Sequence, residues 1–117
     1  MALRISAVFG FLAVALGAFG AHGLKTVLEA NAQMANWNTA AHYHLVHAVA
    51  LVALALHGSR RVWTWRLWFA GTLVFSGTLY VLALTNLKWL GAITPIGGVL
   101  LLAGWLALAF ERGRALD

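Results

Sequence analysis

The sequence predicts an all-α integral membrane protein: a four-transmembrane-helix bundle with both termini in the cytoplasm and a short interfacial segment between the first two helices. Three observations predict it. Of 117 residues, 62% are hydrophobic and only 9% are charged, against roughly half apolar and a quarter charged in soluble domains. The few charges punctuate the chain, because each one at the bilayer centre costs about 2.5 to 3.5 kcal/mol. They leave uncharged runs from Ile5 to Leu24, Ala30 to Ser59, Leu67 to Leu87 and Trp89 to Phe110, each at or above the ~20 residues that cross a bilayer as helix. The basic residues also divide unevenly. With four spans, Arg4, Arg60, Arg61, Arg66, Arg112 and Arg114 share one face and only Lys25 and Lys88 lie on the other, so the arginine face is expected to be cytoplasmic.

The first helix is expected over 4–22. Arg4 before an apolar run imitates a signal peptide, but twenty uncharged residues make a full span, longer than the usual h-region of roughly 7 to 15. The next stretch, Gly23 to Asn38, holds Asn31, Gln33, Asn36 and Asn38 and reads as a polar connection. Within it Leu24, Val27, Leu28 and Met34 recur at spacings that suit a short helix lying in the interface, with Trp37 anchoring its end. The second helix follows over 39–57, the third over 67–85 and the fourth over 92–110. Thr94-Pro95 supplies an N-cap followed by proline at the first helical position, where a missing N–H costs little. Trp63, Trp65 and Trp68 on one side, and Trp37 and Trp89 on the other, suit interfacial belts. Residues 1–117 read as a single membrane domain, since no linker or low-complexity tract divides them.

Eight basic against three acidic residues would raise nucleic-acid binding in a soluble protein, but these charges sit singly or in pairs between spans, so no nucleic acid is expected. The chain has no cysteine, which excludes disulfides, thiolate metal sites and a cysteine nucleophile. Small residues crowd the spans: Ala13, Gly17 and Ala21, then Gly71, Ser76 and Gly77, then Gly97, Gly98 and Gly104. In lipid these permit close backbone approach, and Gly17 and Gly98 are the positions where a larger side chain is expected to weaken the bundle. The two glycine-rich stretches of helices one and three do not align, so an inverted-repeat transporter is not supported.

Three segments stand out together. They are Gly17 through Lys25, Trp37 through Tyr43 with His47-Ala48, and Ser76-Gly77-Thr78-Leu79-Tyr80 with Thr94-Pro95-Ile96-Gly97-Gly98. In order and over nearly the whole chain, the sequence resembles the domain of unknown function 423 family, small bacterial inner-membrane proteins to which the mitochondrial transmembrane protein 256 group is similar. The resemblance implies a multi-pass protein of the bacterial inner (plasma) membrane and implies no known activity.

The histidines are the candidates for specific chemistry. His22 ends helix one on the outer side, and His42, His44 and His47 lie early in helix two on that same side. At 100° per residue His44 and His47 are about 60° apart, while His42 points about 140° to 160° away from both. His22, His44 and His47, joined by Glu29, are therefore candidate ligands for zinc or copper; the plainer reading is interhelical hydrogen bonding by neutral imidazoles. His47 falls near the midplane, about 12 Å down from Thr39, and must face the bundle. Tyr43, Tyr80 and Asn86 are the other buried polar candidates, with Ser76, Thr72 and Thr78 able to bond their own turns.

No nucleophile elbow, no phosphate-binding loop and no intramembrane carboxylate is present, so no catalytic residue and no cofactor is expected. The leading expectation is a non-enzymatic membrane protein that packs with a second copy or a membrane-protein partner, or shelters lipid or a small apolar ligand. A histidine-based metal or redox protein at the outer face is the alternative, and a minimal transporter or channel a third.

Overall fold

The computed structural model describes residues 1–58 and 60–112; Ser59 and Arg114 lie outside the described residues. The regular elements of the described residues are all helical: α1 (Ala2–Ala21), α2 (Lys25–Ala30), α3 (Met34–His57), α4 (Val62–Thr85), a 3₁₀ turn (Lys88–Ala92) and α5 (Thr94–Phe110). Among the described residues four helical segments, α1, α3, α4 and the 3₁₀ turn with α5, are long and apolar enough to cross a membrane.

The spans fall where the uncharged runs place them, but two helices begin earlier than expected. α3 starts at Met34 rather than Thr39, and α4 at Val62 rather than Leu67. In the first case the residues read as a polar connection continue the helix, because Asn36 donates to the Gln33 side chain and Trp37 turns inward. In the second, Arg66 is exposed at the helix end, where its head can reach water. Thr94 is the first residue of α5, not its cap, and its hydroxyl instead donates back to the Leu90 carbonyl, 3.2 Å away.

Trp37 is no interfacial anchor. It is 1% exposed, and its indole N–H donates to the Leu16 carbonyl of α1 at 2.9 Å. Trp68, too, is buried in the core rather than lying in an outer belt. The connecting helix α2 tucks Leu28 against Trp37 and Ala83 under the end of the bundle. It closes with Ala32 at φ 54°, while Gln33 N–H donates to Leu28 O and Ala32 N–H to Glu29 O, the paired pattern of a left-handed helix end.

α1 packs against α3, α3 against α4 and α4 against α5, and among the described residues α1 and α5 do not approach one another. The bundle is therefore a staggered row with α3 and α4 in the middle. Two open grooves result, one between α1 and α4 and one between α3 and α5.

The closest helix crossing is α4 against α5. A Cβ on Gly97 would lie 2.3 Å from the Phe75 nitrogen and 2.9 Å from the Gly71 carbonyl oxygen. Gly104 lies just as tightly under Trp68, and Gly20 under Trp37. Gly17 and Gly98, expected at the contacts, meet neighbours at ordinary distances of 3.9 and 3.7 Å.

Candidate functional site

α3 carries the site because Ala40, Ala48 and Leu51 line its buried face, which brings its histidines against α1, α4 and α5. His44 and His47 are 5% and 4% exposed. Although three residues apart, they reach in different directions. His44 meets Phe9 of α1 edge-on at 4.6 Å, and its Nδ1 lies 2.9 Å from the Tyr80 hydroxyl of α4. His47 sits edge-on to both Trp68 and Trp105, each at 6.0 Å.

The tautomer of His47 follows from its partners. The Trp105 indole N–H, a donor only, points at Nε2 from 3.1 Å, so that nitrogen holds the lone pair. Nδ1 therefore carries the proton and donates to the Tyr43 carbonyl at 2.8 Å. Both ring nitrogens are satisfied by a neutral ring, and a second proton would have no acceptor. His44 is less complete: Nε2 is buried without a hydrogen-bond partner of ordinary geometry, and the Phe9 carbonyl is the backbone acceptor beside the ring. One further polar contact joins the middle helices, Ser76 Oγ donating to the Ala40 carbonyl at 2.8 Å.

The remaining candidates separate from this cluster. His22 is exposed beyond the end of α1 and His42 is exposed on the outer face of α3. Glu29 pairs with Lys25 at 4.0 Å instead. Among the described residues no three histidine or acidic side chains come together in an arrangement that could hold a metal, so His22, His44 and His47 are not gathered into one site. Tyr43 is 42% exposed, stacked with His47 and touching Phe75. Asn86 is exposed rather than buried: it closes α4 in the left-handed conformation at φ 59° and accepts from the Gln33 amide at 3.0 Å. Tyr80 is half-buried against Trp37 and His44.

The groove between α3 and α5 has a volume of about 390 Å³ and is lined by Tyr43, His47, Phe75, Val99, Leu102 and Trp105, with Gly98 at its wall. That size lies within the range of small-molecule sites, roughly 300 to 1,000 Å³. No aspartate, glutamate, lysine or arginine lines it, so it offers neither a general base stronger than a tied-up imidazole nor a charge relay.

Two polar features escaped the sequence. At the arginine end, Glu111 caps α4 from the far end of α5, its carboxylate accepting from Trp63 N–H at 2.9 Å, Thr64 N–H at 3.0 Å and the Thr64 hydroxyl at 2.9 Å. Arg61 returns the favour by donating to the Leu108 and Glu111 carbonyls. Burial alone would raise the Glu111 carboxyl, but the bonds from Trp63 and Thr64 together with the Arg61 charge outweigh it and hold the group below its ordinary value. At the other end Asn31 donates to the Ala83 carbonyl at 3.0 Å, a cap for the last turn of α4. Trp105 was legible in principle, since an indole in mid-span needs a hydrogen-bond acceptor inside the bundle.

Residues 16–98 match the family model described as "Protein of unknown function (DUF423)". The chain belongs to the DUF423 family. A Haemophilus influenzae UPF0382 membrane protein is 45% identical over 113 residues, covering 92% of this chain and 90% of its own. One from Staphylococcus saprophyticus is 44% identical over 108 residues, 89% of both chains. The UPF0382 inner membrane protein YgdD of Escherichia coli K12 is 43% identical over 108 residues, 88% of this chain and 82% of its own. No solved structure matches. As a DUF423 member the chain is a multi-pass inner-membrane protein of a family whose biochemical function is unknown, with no enzymatic activity indicated.

Proposed function

We propose that this DUF423 protein is non-enzymatic and shelters a lipid-class hydrocarbon chain in the groove between α3 and α5. The observation that carries the reading is a groove of about 390 Å³ open along the α3–α5 side, with largely apolar walls and a histidine, His47, already satisfied on both ring nitrogens. Catalysis needs a group free to exchange a proton or attack a substrate, and the His47 ring has both nitrogens already engaged, one by its own helix and one by Trp105. A hydrocarbon chain asks only for apolar contact and a concave wall, and lipid meets the groove directly from the bilayer.

The test fills the groove. Gly98 lines it and tolerates a Cβ, which would meet Phe75 at 3.7 Å, so Gly98→Leu blocks the space without separating helices. Native mass spectra of protein released from mild detergent are expected to retain a fatty-acyl ligand in the wild type and lose it in Gly98→Leu, at unchanged thermal midpoint. Equal retention by both proteins overturns the reading.

A further inference from the structure

We infer that the arginine end of the bundle holds a binding site for the phosphate headgroup of an anionic phospholipid. The site is a cleft of about 350 Å³ where the start of α1, the end of α3 and the start of α4 meet. Its inner wall is apolar, from Ala2, Leu54, Ala55 and Trp65, and its rim carries Arg60, Arg61 and Arg66. It lies apart from the α3–α5 groove and does not depend on what fills that groove.

The charge of this rim is unbalanced. Arg61 is spent on the α5 carbonyls and Glu111 on the first turn of α4. Arg66 lies over the Trp63 ring at 5.7 Å and, like Arg60, makes no hydrogen bond or ion pair with another described residue. Two guanidinium groups without an acceptor among the described residues thus border one apolar cleft. Guanidinium matches phosphate through paired N–H donors, and basic pockets at the cytoplasmic ends of membrane helices are placed where anionic headgroups are concentrated.

The surroundings favour a lipid over a free anion. On the same α1–α4 side runs a second, almost wholly apolar groove of about 360 Å³, walled by Phe9, Leu12, Phe69 and Leu73. The two clefts share a boundary: Trp65 of the first stacks on Phe69 of the second at 5.1 Å, and its indole N–H donates to Ser6 of α1 at 3.3 Å. A cationic cleft with an apolar channel beside it fits a molecule that has a phosphate at one end and an acyl chain at the other. A soluble phosphate would use the rim and leave the channel empty.

The test measures lipid retained by purified protein in nanodiscs of phosphatidylcholine containing a minor fraction of phosphatidylglycerol, read by native mass spectrometry. Arg60→Gln and Arg66→Gln are each expected to lower phosphatidylglycerol retention about fivefold, the fold-change equivalent to the ~1 kcal/mol that a basic residue contributes near an anionic surface. Arg112→Gln removes the same charge outside the cleft and should leave retention unchanged. Ala55→Leu keeps every charge, fills the apolar wall, and should reduce retention as well. Both arginines are exposed, so their variants keep the fold, which unchanged thermal midpoints will verify. Equal losses in all three arginine variants would mean diffuse attraction, and full displacement of the lipid by millimolar glycerol phosphate would mean a site for soluble phosphate. Either result overturns the inference.

Discussion

Adjacent glycines in α5 provide a one-methyl experiment on how the bundle is held. An alanine at position 97 would place its Cβ 2.3 Å from the Phe75 nitrogen and 2.7 Å from its Cα, both main-chain atoms of α4. Ordinary contact begins at 3.4 Å, so the helices would have to separate by about 1.1 Å (3.4 − 2.3). A backbone cannot rotate away as a side chain can, and a gap of that size forfeits a quarter to a half of the dispersion energy along the seam. Overpacking costs typically 1 to 3 kcal/mol, and a backbone clash belongs at the upper end, about 3 kcal/mol. At position 98 the same methyl meets only the Phe75 ring, at 3.7 and 3.8 Å, and removes a glycine from a helix interior, a gain of up to about 1 kcal/mol. Gly97→Ala is therefore expected to fall about 3 to 4 kcal/mol below Gly98→Ala in reversible unfolding in mixed micelles. Equal stability of the two variants would refute the close crossing and with it the assigned packing of α4 on α5.

Three other outcomes are expected. Because the Glu111 carboxyl is held below its ordinary value, its cap is present at neutral pH and above its ordinary value, and is lost as pH falls through the lowered one. Glu111→Gln should cost about 1 kcal/mol at pH 7 and converge with the wild type in strong acid, and a constant gap down to pH 2 in denaturation curves would contradict the carboxylate cap. His47→Ala should cost on the order of 1 kcal/mol by orphaning the Trp105 N–H, while His47→Gln, which can accept and donate in its place, recovers much of that; a chelator-sensitive wild type with a Gln variant as weak as Ala would overturn the hydrogen-bonding role. As the chain has no cysteine, single substitutions report topology cleanly: Lys25→Cys and Lys88→Cys are expected to react with an impermeant maleimide in intact cells and Arg60→Cys only after permeabilisation, and the reverse pattern would invert the bundle.

Charge spacing made the four spans legible because the cost of burying charge is large and local. The same rule says nothing of where a helix stops once outside the hydrocarbon. That is why Asn36, Trp37 and Asn38 were read as a connection and Arg66 as a boundary, although helix passes through them all. Histidine geometry was half legible. The 100° rule gave the angle between His44 and His47, but which neighbour each one meets depends on α1 and α5 lying on opposite sides of the α3–α4 pair, a tertiary fact. Gly71 and Gly97 stood among the small residues named from the sequence, but that they mark the tightest approach of α4 and α5 was not legible, since composition marks which helices can approach closely and not the turn at which they cross. Glu111 was overlooked because a carboxylate after the last apolar residue reads as solvated tail until the start of α4 is seen beside it.

The contacts of this bundle also differ with where along the chain they join, although apolar packing crosses every seam. α1 with α3, and α4 with α5, make two hairpins whose helices meet at glycines, Gly10 against Ala48, Gly17 against Ala41 and Gly97 against Phe75, with Trp37 bonded to the Leu16 carbonyl and Thr78 to Thr94 inside them. Between the hairpins, beside the apolar packing of Leu51 with Trp68 and of Ala40 with Leu79, hydrogen bonds cross as well: Ser76 to Ala40, His44 to Tyr80, Trp105 to His47 and Trp65 to Ser6. Synthesis proceeds from the N-terminus, so the first hairpin is complete in the membrane before the second leaves the ribosome. Each hairpin can then close on contacts of its own, without partners from the other. The second arrives at a surface that already displays His44, His47 and the Ala40 carbonyl, and directional bonds, which tolerate little sliding, set the register in which the two halves lock.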